Sequence, residues 1–103
     1  MNKILVLITT ESKINRAESI SKLLIKRKLA ACVSFKEINS TYSWENKVEQ
    51  TKEIEIVIKS TPEKLDNLIK FLKFESSYKI PQIIYKIFNS DIHYHRWVQD
   101  SVM

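Results

Sequence analysis

The chain has 103 residues, of which 44% are apolar and 28% charged, with a formal net charge of +5. That length suits one domain over residues 1–103, and the apolar share is that of a packed core rather than a disordered segment. Glycine is absent and cysteine occurs once, which excludes glycine-rich phosphate loops and an internal disulfide.

The first element expected is a strand over Lys3–Thr9, apolar almost throughout and therefore central in a sheet. Its apolar run Ile4–Ile8 is far too short to span a bilayer, and Met1-Asn2-Lys3 leads straight into it without a leader. With the lone Cys32, this predicts a cytoplasmic protein that does not engage membranes. Thr10–Ser12 offer N-cap hydroxyls, and Ile14, Ala17, Ile20 and Leu24 mark an amphipathic helix to about Lys28.

A second strand is expected over Ala30–Trp44. Val33 and Phe35 share one parity, whereas Ile38, Ser40, Tyr42 and Trp44 share the other, a phase change that a β-bulge near Lys36-Glu37 would produce. Glu45-Asn46 fits a two-residue hairpin turn, since asparagine tolerates the left-handed region. A third strand, Lys47–Lys59, returns with Val48, Ile54, Ile56 and Ile58 in phase and Glu49, Glu53 and Glu55 opposite. Thr61-Pro62 signals a helix start, and Leu65, Leu68, Ile69 and Leu72 form that helix's apolar stripe. Tyr78–Pro81 breaks it, Gln82–Phe88 reads as a fourth strand, and Ser90 or Asp91 caps a last helix bearing Tyr94, Trp97 and Val98.

The order is β-α-β-β-α-β plus a helix. It predicts an α+β, ferredoxin-like sandwich with a C-terminal helix, in which a four-stranded antiparallel sheet carries two helices on one face. Ordinary strands run about five or six residues, but both arms of this β2–β3 hairpin are far longer. Two helices cannot cover it, and its distal part carries Tyr42 and Trp44. Pairing with another subunit is the economical way to bury them.

In order and spacing the sequence resembles the CutA family of divalent-cation tolerance proteins along nearly the whole chain. The resemblance rests on Leu29-Ala30-Ala31-Cys32-Val33, Ser40-Thr41-Tyr42-Ser43-Trp44-Glu45 into Lys47-Val48-Glu49, Ile58-Lys59-Ser60, Tyr78-Lys79-Ile80-Pro81-Gln82-Ile83, and Tyr94 with Trp97. It implies a homotrimer with hairpins paired between subunits, kinship with nitrogen-regulatory PII proteins, and a non-enzymatic role in metal (copper) tolerance, as a binding, signalling or scaffold protein. Asn46 stands where the family usually has a turn glycine. Ser76 precedes Ser77-Tyr78 where relatives commonly read His-Pro-Tyr, and Ile8 occupies the place of a cysteine associated with metal in some members.

Of the metal-associated set only Cys32 remains; thiolate is a soft donor suited to monovalent copper, but beside Ala30 and Ala31 this cysteine reads first as a small buried residue. The sequence points to no definite cofactor, and a divalent metal ion such as copper is expected to be held weakly. His93 and His95 are two apart on a helix and point apart. Lys59, with Tyr42, Trp44, Tyr78 and Trp97, is the candidate lining of an intersubunit pocket for a small anion or metabolite, or a structural interface. Glu49 and Glu53, on one face of the third strand, read as solvent-facing or salt-bridging carboxylates rather than a catalytic pair.

The runner-up is an RNA-binding module on the same topology. Such modules place aromatics on the sheet face in the third strand, which here reads Lys52-Glu53-Ile54-Glu55-Ile56-Val57-Ile58, so no nucleic-acid partner is expected. The basic cluster Lys22, Lys26, Arg27 and Lys28 instead answers the dipole of the first helix. An acylphosphatase-type hydrolase shares the fold but needs a glycine-bearing phosphate loop.

Overall fold

The computed structural model describes residues 2–103. Strands β1 (Lys3–Glu11), β2 (Cys32–Trp44), β3 (Lys47–Ser60) and β4 (Ile84–Asn89) form one sheet in the order β2-β3-β1-β4, antiparallel throughout. Helices α1 (Ile14–Lys26) and α2 (Leu65–Glu75) join β1 to β2 and β3 to β4, and α3 (Ile92–Ser101) follows β4. This is the ferredoxin-like arrangement expected. The central strands β1 and β3 carry the apolar runs because neighbouring strands and helices together keep water from them.

Strand alternation sorts the sheet into two faces. Leu5 and Leu7 of β1 and Ile54, Ile56 and Ile58 of β3 point to one side, where they form the core with Ala17, Ile20 and Leu24 of α1 and Leu68, Phe71 and Leu72 of α2. Each large side chain so buried contributes roughly 1.5–3 kcal/mol. Val6, Ile8 and Thr10 of β1 and Glu53, Glu55 and Lys59 of β3 belong to the opposite face, which α1 and α2 leave open.

Several ends differ from expectation. Strand β1 continues to Glu11, so the hydroxyls of Thr10–Ser12 do not cap α1; Lys13 is its N-cap, without a side-chain bond. Helix α1 stops at Lys26 in a Schellman turn, with Leu29 N–H donating to the Leu24 carbonyl and Lys28 N–H to that of Ile25. Lys28 takes the left-handed position (φ 57°) that glycine usually holds, a consequence of a chain without glycine. Thr61-Pro62 opens a short 3-10 turn, Pro62–Lys64, that runs into α2. Asp91 caps α3, its carboxylate accepting from the amides of His93 and Tyr94. His95 Nδ1 lies 3.1 Å from the Lys3 carbonyl, and Val98 and Val102 are buried, which fastens α3 to the start of β1.

The bulge expected near Lys36-Glu37 is not there. Pairing of β2 with β3 runs in unbroken register from Cys32↔Lys59 to Trp44↔Lys47. The phase change has another cause. Near the helices the apolar residues Val33 and Phe35 sit on the helix face, opposite Ile58 and Ile56. Beyond the helices that face needs no apolar cover, and Ile38, Tyr42 and Trp44 lie on the open face instead. Glu45 (φ 51°) and Asn46 (φ 65°) close the hairpin in the two-residue turn predicted. The protruding hairpin stretches the molecule to 45 × 24 × 22 Å with a radius of gyration of 14.4 Å, against about 13 Å for a compact chain of this length.

Candidate functional site

The open face of the hairpin root is roofed by the segment between α2 and β4. Its anchor is Glu11, which is 1% exposed at the end of β1. One carboxylate oxygen of Glu11 accepts from the Ser12 amide at 3.2 Å and the other from the Ser77 amide at 3.0 Å. Ser76 Oγ then accepts from the Tyr78 amide at 3.1 Å, and the Tyr78 hydroxyl donates to Glu53 Oε1 at 2.8 Å. Arg16 adds a bond to the Glu75 carbonyl and a 3.7 Å ion pair with its carboxylate. The bonds from Ser77 to Glu11 and from Tyr78 to Glu53 thus tie a segment without regular structure across β1 and β3. A buried acceptor stripped of its donors costs about 1–3 kcal/mol, which makes Glu11 the keystone.

Beneath the roof lies a cavity of about 520 Å³, lined by Thr10, Ser40, Thr41, Tyr42, Trp44, Glu53, Tyr78, Lys79, Ile80 and Gln82. That volume is within the range of small-molecule sites. Tyr42 and Trp44 reach it because they lie on the open face of β2, and Glu53 because it lies on the same face of β3. The Tyr78 hydroxyl is held well above the usual tyrosine range, first by burial, then by its bond to Glu53 and by the charges of Glu53 and Glu11. It is a donor fixed on a carboxylate, not a proton-transfer group at neutral pH.

Of the five residues proposed for one pocket, Tyr42, Trp44 and Tyr78 line this cavity. The other two lie elsewhere in the protomer. Lys59 is six residues along β3 from Glu53, about 20 Å of extended strand, and pairs with Val6 and Cys32. Trp97 stacks on Tyr94 on α3, with ring centroids 5.7 Å apart. Glu11, Thr10 and Gln82 are the residues that sequence reasoning missed; they carry no local signal.

The described residues of one protomer do not assemble a metal centre. Cys32 is half-buried, and its register partner is the cation Lys59 rather than a second donor. Among the described residues no three His, Cys, Asp or Glu side chains come together as a metal-binding group. Ser76 serves the loop by accepting from Tyr78 N–H. The ligands present do not fit a resident transition-metal ion, which commonly takes three or four donors.

A four-stranded ferredoxin-like sandwich with an overlong hairpin and a roofed cavity on its open face defines the class of protein. Residues 4–101 match the family described as CutA1 divalent ion tolerance protein. The divalent-cation tolerance protein CutA of Pyrococcus horikoshii is 30% identical over 96 residues, covering 91% of this chain and 93% of that one. The CutA homolog of Xenopus laevis is 33% identical over 88 residues, or 84% of this chain, which spans only 58% of the frog protein. A solved structure, described as the periplasmic divalent cation tolerance protein CutA from Archaeoglobus fulgidus, has a TM-score of 0.93 at 30% identity and covers 97% of this chain and 99% of that one. The chain belongs to the CutA family of divalent-cation tolerance proteins. No helix among the described residues is long and apolar enough to cross a membrane.

Proposed function

We propose that this protein works as a homotrimer in divalent-cation tolerance, copper included, as a cytoplasmic binding, signalling or scaffold protein related in fold to PII rather than as an enzyme. The observation that carries the reading is the hairpin. Its thirteen- and fourteen-residue strands leave the helices behind, with Tyr42 40% and Trp44 41% exposed near the tip. Strand β2 is an edge strand for its whole length, and β4, the other edge, exposes Ile84, Tyr85, Ile87 and Phe88. Long apolar edges of this kind invite pairing and are stable in solution when a partner covers them.

In such an assembly the roofed cavity lies in the cleft between subunits, and Lys59 and Trp97 belong to the interface rather than to the cavity wall. Cys32 contributes at most one soft ligand, so copper and zinc bind no tighter than micromolar and tolerance does not depend on capture by a single chain. Light scattering coupled to size exclusion tests the assembly. It should return three times the 12.2 kDa protomer mass; a monomer at micromolar concentration contradicts the reading, and a dimer contradicts the trimer alone.

A further inference from the structure

The cavity beneath Tyr78 has an electrostatic character that the net charge of the chain conceals. Six of the seventeen basic residues and one of the twelve acidic ones lie in residues 13–28, so the rest of the chain holds eleven of each sign. The entire excess of +5 therefore resides on α1 and its flanks, packed on the helix face of the sheet. The cavity opens on the other face. There Glu53 has a carboxylate that accepts from the Tyr78 hydroxyl and pairs with no cation; the ion pairs among the described residues are Arg16–Glu75 and Lys52–Glu37. Glu49 and Glu55 flank Glu53 on the same face of β3; the cations on that face are Lys36, Lys47, Lys59 and Lys86, and of these Lys59 and Lys86 lie at the far end of the sheet from Glu53. Lys79, an exposed cation in the cavity lining, makes no ion pair with Glu53.

Three aromatic side chains share the wall with Thr10, Ser40, Thr41, Ile80 and Gln82. Tyr42, Trp44 and Tyr78 surround a space of about 520 Å³, and their ring faces carry the negative end of the aromatic quadrupole. Thr10, Ser40 and Gln82 offer oxygen acceptors for N–H groups. An anion would meet the Glu53 carboxylate here. A bare divalent cation would find one carboxylate among the lining residues, too few oxygens to replace its hydration shell. An organic cation with a flat or apolar body meets both features at once, its charge against Glu53 and the rings, its carbon frame between them.

We infer that the Tyr42–Trp44–Tyr78 cavity binds a small organic cation, an amidinium, guanidinium or ammonium compound, with its charged head on Glu53. The inference rests on reading this cleft as the functional site and supplies its ligand class. Benzamidine and benzoate, nearly equal in shape and opposite in charge, are the probes, titrated calorimetrically into the full chain. Benzamidine should bind at least about tenfold more tightly than benzoate. Glu53→Gln should erase that preference, and Tyr42→Ala, outside the Glu11–Tyr78 clasp, should weaken benzamidine several-fold while the circular dichroism spectrum stays native. Benzoate binding as tightly as benzamidine, no detectable binding of either, or magnesium binding that Glu53→Gln abolishes in place of benzamidine binding would each overturn the inference. Light scattering on the same samples separates the two readings. A trimer that ignores benzamidine overturns the ligand class and leaves the assembly standing. A monomer that binds it through Glu53 supports the ligand class and contradicts the assembly.

Discussion

The root and the tip of the hairpin belong to the same two strands and obey opposite rules. At the root, Ile54, Ile56 and Ile58 face two helices and are almost wholly removed from water. At the tip, Val48 is exposed on the helix side and Tyr42 and Trp44 on the other. Register is continuous between them, so the backbone does not distinguish the halves. The difference lies in what covers each face. The root is covered by the helices of its own chain, and the tip is not.

The sharpest break of that comparison is in the core. Ile58→Ala removes a fully buried side chain and should destabilise the protomer by about 2–5 kcal/mol, read as a lower urea midpoint at unchanged slope. Trp44→Ala should do the reverse of this in kind. It leaves protomer folding within about 1 kcal/mol of wild type but speeds subunit exchange, measured by mixing labelled trimers. Exchange as slow as wild type would mean the tip is not an interface.

Glu11→Ala tests the join between the halves. It strands the Ser77 amide and should cost about 1–3 kcal/mol, with faster proteolysis of residues 76–83 as the local signature. Tyr78 adds a pH effect. Its folded-state proton is held more tightly than the ordinary tyrosine proton, which leaves near pH 10. The unfolded chain therefore ionises first as pH rises. Stability from this group is full below about pH 10 and is lost above it, and Tyr78→Phe should flatten that alkaline fall. The smallest effect expected is a gain. Lys28→Gly relieves a left-handed lysine and should raise stability by about 0.5–1 kcal/mol.

The element order, the turn at Glu45-Asn46 and the Asp91 cap of α3 were legible in the sequence because each has a local chemical signature, whereas the hydroxyls of Thr10–Ser12 pointed to a cap that α1 does not use. The apparent bulge shows where such reading stops. Alternation reports which face of a strand is apolar, and an apolar set that changes face looks the same as an inserted residue. Only the partner strand's register separates the two. Tyr42, Trp44 and Tyr78 were legible as a group, but Glu11 was not, because its role is set by an amide 66 residues away. Lys59 was grouped with them for a pocket between subunits; within one protomer, strand spacing sets it at the other end of the sheet.

The account turns on the tip being covered by other copies of the chain, and hydrogen exchange across Ser40–Thr51 measures that most directly. At tens of micromolar those amides should exchange as slowly as the central strands β1 and β3, and dilution through the assembly equilibrium should release them while the root stays protected. A trimeric sample in which Ser40–Thr51 exchange at the rate of an open ribbon would contradict the claim.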